Sequence, residues 1–266
     1  MKSQTFFMSY ALITGASRGI GLAIAAELAR RKYNLLLVAR SGDQLQKLAQ
    51  QLAADHNVKV DSLAVDLSDA VAPQQVINWC KTNKYDVSVL VNNAGYGLSG
   101  QFEQYSLTDN LAMMQVNMTS LVQLTQLFLP ELRRQSRGYI LNIASSTAYQ
   151  ALPGMSLYAA TKVFVLNFSR GLHHELAGTS VSVTCISPGA TDTGFNDRAQ
   201  INQKARDAAK KITMTPDDVA QQAVAAMLAG KAEVITGGIN KLGAFAAWLL
   251  PKGLVEKTAY KIYKES

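Results

Sequence analysis

Tyr158 and Lys162 stand four positions apart in a stretch, Ser156 to Ala177, whose apolar spacing predicts a helix. Their side chains therefore share one helical face and can meet. A tyrosine normally keeps its proton near neutrality. An ammonium beside it stabilises the phenolate and lowers its pKa, giving a group able to donate or accept a proton at an alcohol or carbonyl. Ser145 closes a predicted strand, Tyr139 to Ala144, and a hydroxyl there can hold a carbonyl oxygen. Plainer readings stand beside these. A Tyr and Lys at this spacing also decorate solvated helices, and Ser145, Ser146 and Thr147 have the composition of a simple turn. Asn117 is a polar residue inside an apolar helix, and its local pattern fits an amide satisfied by the backbone better than a role in chemistry.

These residues need a frame, and the chain builds one around Thr14 to Gly21, Thr-Gly-Ala-Ser-Arg-Gly-Ile-Gly. A buried strand ending at Ile13 enters it, and a helix with Ile20, Ile24 and Leu28 on its inner face leaves it. Gly15 suits a sharp turn with positive φ. Gly19 leaves no Cβ where a pyrophosphate must approach the backbone, and Gly21 lets the helix start close to the sheet. The helix N-terminus then offers unpaired N–H groups and a positive dipole end to an anion. A glycine pattern alone is also compatible with an ordinary tight turn; the strand before it and the helix after it favour the phosphate site.

Short apolar strands alternate with helices along the rest of the chain. Asn34 to Ala39 is followed by a helix carrying Leu45, Leu48 and Leu52; Val58 to Val65 and Val87 to Val91 are separated by a helix around Val76 to Trp79. Further strands are predicted at Val181 to Ile186 and Glu233 to Thr236. The fold class is thus α/β, one doubly wound parallel sheet of about seven strands with helices on both faces and a C-terminal helical tail. Right-handed crossovers bring every strand's C-terminal end to one edge, where Gly15, Arg40, Asp66, Asn93, Ser145 and Pro188 fall. The helices Asp109 to Arg134 and Ser156 to Ala177 are apolar on more than one face, which predicts a homodimer centred on Leu121 and Phe168. Gly189 to Thr213 is a long polar interruption, and Thr215, Pro216 and Asp217 read as the next helix start.

Composition narrows the class. The 266 residues are 48% apolar and 17% charged with a net charge of +7, yet no dense basic run is interleaved with aromatics, so nucleic acid is not expected as a partner. An anionic cofactor and a basic tail account for the surplus. Cys80 and Cys185 form no paired motif, which suits a reducing, cytoplasmic compartment without a disulfide. His56, His173 and His174 lack companions at zinc spacing, so no metal site is expected. The apolar run from Phe6 ends in the glycine turn instead of a cleavage site and reads as the first strand.

Taken together, the sequence resembles the short-chain dehydrogenase/reductase family. The resemblance rests on the glycine turn at Thr14, Val-Asp-Leu at Val65, Asn-Asn-Ala-Gly at Asn92, Asn117, Ser145, Tyr-Ala-Ala-Thr-Lys at Tyr158, and Ser-Pro-Gly with Thr191 and Thr193 after Ser187, in the family's order between Met8 and Gly238. It implies that Tyr158 is the general acid/base, that Lys162 binds the nicotinamide ribose and tunes Tyr158, that Ser145 orients the reacting oxygen, and that Asn117 supports a proton-relaying water. It further implies a cofactor groove formed by Gly15, Ser17, Arg18, Gly19, Ile20 and Gly21, with Asp66 and Leu67 bordering the adenine. Asn93, Ala94 and Gly95 would line that groove, and Pro188, Gly189, Thr191 and Thr193 would border the nicotinamide. Ala148 departs from the glycine common after the serine strand, and the chain runs on past the segment Thr236-Gly-Gly where many members stop; it is similar to the tailed, mostly poorly assigned reductases.

The cofactor expected is NADP(H), because Arg40 follows the second strand where an acidic residue would otherwise accept the ribose hydroxyls, and Arg18 adds a second cation. The activity expected is hydride transfer between that nicotinamide and a carbonyl or secondary alcohol of a small molecule in a largely apolar pocket near Tyr96, Phe102, Leu152, Met155 and Phe195. Alternatives are an NADP-binding regulatory or scaffold protein without turnover, which would be free to lose the Ser145, Tyr158 and Lys162 set, and another Rossmann-like enzyme such as a methyltransferase, which would not require it. Residues 1–238 form the dinucleotide-binding and catalytic domain, and 239–266 an amphipathic extension of it. In that tail Leu242 to Leu250 is apolar but would cover about 14 Å as a helix, against a bilayer core of about 30 Å. A second helix from Gly253 carries Leu254, Val255, Thr258, Ala259 and Ile262 on one face and Lys257, Lys261 and Lys264 on another. The tail is expected to dock on its own domain, with peripheral contact to an anionic membrane as the other reading.

Overall fold

The computed structural model describes residues 9–263. Within β1 (Tyr10–Thr14) and β2 (Asn34–Ala39) successive apolar side chains point to opposite faces, as the two-residue period of a strand requires. Ala11, Ile13, Leu35 and Leu37 therefore enter one core, with α1 (Gly19–Arg30), α2 (Gly42–His56) and a later helix, Pro216–Leu228. Leu12, Leu36 and Val38 enter the other, against α3 (Ala72–Thr82) and the helix Ser120–Arg133. Near-continuous apolar strands of this kind are stable only between two helical layers. The part of the first-strand expectation that falls on Phe6 to Met8 lies outside the described residues.

The remaining strands are β3 (Val60–Ala64), β4 (Val87–Asn92), β5 (Gly138–Ile143), β6 (Val181–Ser187) and β7 (Glu233–Ile235). All pair in parallel, in the order β3-β2-β1-β4-β5-β6-β7. The order runs outward from β1 to β3 and then returns to place β4 on the other side of β1, so the connections leaving β1 and β4 diverge and open a crevice. β3 is shorter than the expected Val58 to Val65, because its partner β2 offers pairing only from Leu35 to Ala39.

One expected helix is not uniform. Between α4 (Leu107–Met114) and α5 (Ser120–Arg133) the backbone widens into a π turn, Gln115–Thr119, that contains Asn117. Single π turns inside α-helices commonly mark functional sites. Nor do the apolar faces of these helices all await a partner. Leu124 and Phe128 pack under the sheet, and Leu121 meets Ala144, Val165 and Leu166, the last two on α6 (Ser156–Glu175), within one subunit. The polar interruption after β6 holds α7 (Phe195–Arg198) and α8 (Gln203–Ala209), and α9 (Pro216–Leu228) starts where Thr215 Oγ1 accepts the Asp218 N–H.

The tail forms α10 (Gly238–Leu249) and α11 (Lys252–Tyr263). α11 docks as expected of the tail, burying Ala259 and packing Ile262 and Tyr263 beside Met155 and Ala205, while Asn202 Nδ2 donates to the Tyr263 carbonyl at 3.0 Å. α10 departs from that expectation. Only its Asn240 and Ala247 are buried, and Trp248 is 71% exposed, because its opposite face meets nothing among the described residues. No described helix is long and apolar enough to cross a membrane.

Phe128 is among the largest fully buried side chains. Its replacement by alanine opens a cavity between α5 and the sheet, and an equilibrium urea titration should show a loss of about 3–5 kcal/mol.

Candidate active site

The crevice at the C-terminal ends of the strands is held open by a small set of hydrogen bonds between β1 and β4. Thr14 Oγ1 donates to the Val91 carbonyl at 3.2 Å and accepts the N–H groups of Asn93 and Ala94, both at 3.0 Å. Asn93 Nδ2 returns to the carbonyls of Thr14 and Gly15 at 2.9 and 3.2 Å. The polar groups that diverging strands leave behind are thus satisfied, and the glycine turn is pinned to the next strand.

Two of the glycines also permit close contacts within the chain. Gly19 has φ +58° and a Cβ there would lie 2.8 Å from Thr193 Cβ, so the residue lets the loop after β6 close on the turn. Gly21 packs on the turn itself. Its Cβ would fall 2.4 Å from both the Gly15 carbonyl and Asn93 Nδ2, a contact no side chain can make. Gly15 has the expected positive φ, +66°.

Around this turn lies a cavity of about 670 Å³. Gly15, Ser17, Arg18, Gly19, Ile20 and Gly21 form one end with Arg40, Asp66 and Leu67; Asn93, Ala94 and Gly95 line the middle; Ser145, Tyr158, Lys162, Pro188, Gly189, Thr191 and Thr193 close the other end. Every cofactor-contacting residue expected from the sequence borders this one space. The donor set fits a dinucleotide: a helix N-terminus for the phosphates, with the cations Arg18 and Arg40 at the same end. Arg40 and Asp66 form a long, exposed ion pair at 3.7 Å, of a kind that contributes little and is readily exchanged for a stronger anion. Burial opposes charge on Asp66, but the N–H and hydroxyl of Ser68, then Arg40 and Arg198, outweigh it and hold the carboxyl below its usual range.

Sequence reasoning does not single out Arg198, on α7. Its guanidinium lies 4.1 Å from the centroid of the Tyr96 ring and borders the cavity beside Arg18 and Arg40. An arginine in a polar loop carries no signal of its own; only the closure of that loop brings it here.

At the other end the reactive groups converge. Tyr158 is 7% exposed and borders the cleft together with Ser145, whose Oγ accepts the Thr147 N–H at 3.1 Å. Lys162 is 5% exposed; its Nζ donates to the Ile143 carbonyl at 2.9 Å and stands 5.8 Å from the Tyr158 ring centroid. The expectation from spacing is an ammonium that lowers the tyrosine's pKa, and the structure corrects it. Burial pushes the phenol up, to about 12, the nearby Ser145 hydroxyl opposes this, and the Tyr263 phenol adds to it. Burial likewise pushes Lys162 down, to about 8, with Cys185 acting against the shift. Desolvation therefore governs both groups. Burial thus favours the neutral form of each.

Asn117 sits behind the cavity wall. Its Oδ1 accepts the Tyr96 N–H at 3.1 Å, and its Nδ2 donates to the Tyr96 carbonyl at 2.9 Å and to Thr161 Oγ1 at 3.0 Å. The side chain is satisfied largely by backbone, as its local pattern indicates. It is nonetheless next to the site, since a Cβ on Gly95 would meet Asn117 Oδ1 at 3.1 Å and Lys162 Nζ at 3.3 Å. Of the residues expected in an apolar pocket, Tyr96, Met155 and Phe195 border the cavity, and Tyr158 and Phe195 have ring centroids 5.4 Å apart. Leu152 is buried in the core behind Met155, and Phe102 borders a neighbouring cavity instead.

The sequence profile of the short chain dehydrogenase family matches residues 9–204. An uncharacterized oxidoreductase of Staphylococcus aureus (strain N315) is 34% identical over 217 residues, 82% of this chain and 90% of that protein. Among solved structures, a short-chain dehydrogenase from Sphingobium yanoikuyae in complex with NADPH is 31% identical, with a TM-score of 0.80 over 93% of this chain and 95% of that one. An alcohol dehydrogenase from the archaeon Thermococcus sibiricus, complexed with 5-hydroxy-NADP, is 32% identical, with a TM-score of 0.73 over 86% and 95%. With its strand order, glycine turn and Ser145, Tyr158 and Lys162 in one cleft, the chain belongs to the short-chain dehydrogenase/reductase family of oxidoreductases.

Proposed function

We propose that this protein is an NADP(H)-dependent oxidoreductase acting on a carbonyl or secondary alcohol of an apolar small molecule, with Tyr158 as general acid/base. The observation that carries this reading is the convergence of Ser145, Tyr158 and the buried Lys162 in the same cleft as the glycine turn. The bound nicotinamide supplies or accepts the hydride. Ser145 and Tyr158 then hold the substrate oxygen between two hydroxyls, and Tyr158 gives that oxygen its proton as the carbonyl is reduced. Lys162 steadies the charge left on the phenol, and Asn117 positions the Tyr96 backbone and Thr161 that pack around it.

The apolar substrate is supported by the lining beyond Tyr158, where Tyr96, Met155, Phe195, Ile201 and Tyr263 border the cleft. Met155 and Tyr263 also border an adjoining cavity of about 330 Å³ with Leu98, Phe102, Met113 and Leu157, room for a bulky substituent. The buried thiols Cys80 and Cys185 suit a reducing cytoplasm.

Removal of the Tyr158 hydroxyl takes away the proton donor and leaves the nucleotide end intact. Tyr158→Phe should lose about 10²- to 10⁴-fold in kcat, with cofactor affinity nearly unchanged in a fluorescence titration, whereas Lys162→Ala should impair both. A Tyr158→Phe enzyme as active as the wild type sinks the assignment. The pH profile follows from the same two groups. Reduction needs a protonated Tyr158 and a charged Lys162; the phenol keeps its proton to about 12, but the ammonium is lost above about 8. The reduction rate should therefore be level below pH 8 and decline above it, while alcohol oxidation, which needs the phenolate, should peak at a more alkaline pH.

NADP(H) is supported by Arg18, Arg40 and Arg198 at one end of the cleft, and by the NADPH and 5-hydroxy-NADP bound to the two solved relatives. A charge-assisted contact to a 2′-phosphate contributes about 1.5–3 kcal/mol. Arg40→Asp should thus weaken NADPH binding about 10- to 100-fold and leave NADH binding little changed; an unaltered preference in paired calorimetric titrations would assign the phosphate contact elsewhere.

Assembly as a homodimer is part of the same proposal, through the outer faces of α5 and α6. Phe164 is exposed and stacks on Phe168 with ring centroids 5.9 Å apart, and Met118, Val122 and Leu129 are half-buried nearby in sequence on the other helix. Light scattering at micromolar concentration should give twice the chain mass, and Phe164→Glu should return it to one.

A further inference from the structure

The largest run of exposed apolar side chains lies on the tail. On α10 Ile239 is 62% exposed, Leu242 66%, Phe245 56%, Trp248 71% and Leu249 65%, and the run continues through Leu250 and Leu254. The spacing of Ile239, Leu242, Phe245 and Leu249 is that of one helical face, and Asn240 and Ala247, on the opposite side, are the residues that anchor the helix to the domain. Asn240 Nδ2 donates to the Thr236 carbonyl at 2.9 Å and packs where a Cβ on Gly189 would lie. The orientation of α10 is therefore fixed from beneath, and the apolar side faces outward by construction. Scattered exposed leucines are ordinary on a soluble surface; a contiguous face with two aromatics is not.

We propose that this face of α10 docks on an anionic lipid surface, the helix lying in the plane of the interface.

Charge selects this occupant over a second copy of the chain. Lys241, Lys252, Lys257 and Lys261 are exposed on the two tail helices, and Lys252 Nζ donates to the Ala247 carbonyl at 3.2 Å near the C-terminal end of α10. Glu256 is the one acidic side chain on the described part of the tail. Two copies meeting face to face across a two-fold axis would set lysine against lysine, whereas a membrane with acidic headgroups supplies the opposite sign to the same array. The aromatics point the same way. Phe245 and Trp248, with ring centroids 6.0 Å apart, form an exposed pair, and such rings settle at the level of the headgroups. α10 at 12 residues is about 18 Å long, too short to span a core of about 30 Å and suited to lying along its boundary.

Flotation of the full chain with vesicles decides the matter, using phosphatidylcholine alone and phosphatidylcholine with phosphatidylglycerol. The protein should float with the anionic vesicles and not with the neutral ones, and binding should weaken steeply as ionic strength rises from about 0.01 to about 1 M. Lys241→Gln with Lys252→Gln should weaken binding about fivefold for each lysine removed. Phe245→Ser with Trp248→Ser replaces only exposed side chains, so the melting temperature should hold while flotation is lost. Tryptophan emission of the wild type should shift to the blue on binding, and the doubly substituted chain should show no shift. Failure to float with anionic vesicles at low salt overturns the proposal, as does flotation that the Phe245→Ser, Trp248→Ser chain retains. A mass in light scattering that falls on those two substitutions, without vesicle binding by the wild type, would assign the face to a second copy instead.

Discussion

The working edge of this molecule depends on how the ends of β1 and β4 are held together. A parallel sheet that reverses its winding direction must separate the loops leaving two neighbouring strands, and separation strips the last backbone groups of their partners. The Thr14 hydroxyl and the Asn93 amide supply those partners from side chains, so the strands stay paired up to the crevice and then part cleanly. Gly15 and Gly21 follow from the same constraint, because the amide that bridges the strands occupies the space their side chains would need. The phosphate turn is thus one half of a clamp whose other half lies in Asn92-Asn93-Ala94-Gly95.

At the opposite end of the cleft desolvation outweighs every other influence. Among the described residues Lys162 Nζ has the Ile143 carbonyl as its hydrogen-bond acceptor, and a buried ammonium so weakly satisfied gains from any further polar ligand. A hydroxyl presented to Lys162 from within the cleft would be such a ligand. The neutral Tyr158 fits the same scheme. A phenol kept protonated by burial is ready to donate, and the charge that would convert it to a base is held near but not against it.

Most of this architecture is legible in the sequence because the strands are fully buried. Asn34 to Ala39 can be bounded to the residue, since its run of buried positions leaves little choice. The edge strand β3 reads too long, for there the limit is set by its partner's length and not by its own pattern. The site residues are legible in position because motifs fall at strand ends, yet their physics is not. The spacing of Tyr158 and Lys162 says that they can meet; it does not report that both are buried, and burial reverses the sign of the tyrosine's shift. The π turn at Asn117 and the approach of Arg198 to Tyr96 arise from packing between segments distant in sequence, for which no local pattern exists.

The tail shows the same limit from another side. α10 and α11 both carry apolar side chains near the chain's end, and pattern alone predicts that each hides its apolar face against the domain. What differs is the ground available to each. α11 meets α8 and the Gly154 loop, where Ala259 is small enough to permit close approach and Tyr263 fills the space between two cavities. α10 begins immediately after β7, a short edge strand, with Asn240 already committed to the Thr236 carbonyl and to Gly189. That anchoring fixes the rotation of the helix about its axis before its large side chains can choose a surface. Turning Leu242 and Phe245 inward would break the amide contact and leave a buried carbonyl without its donor, a loss of about 1–3 kcal/mol set against apolar burial that the narrow ground beneath α10 could not provide in full. The outward apolar face is thus a consequence of how the tail is tied to the sheet.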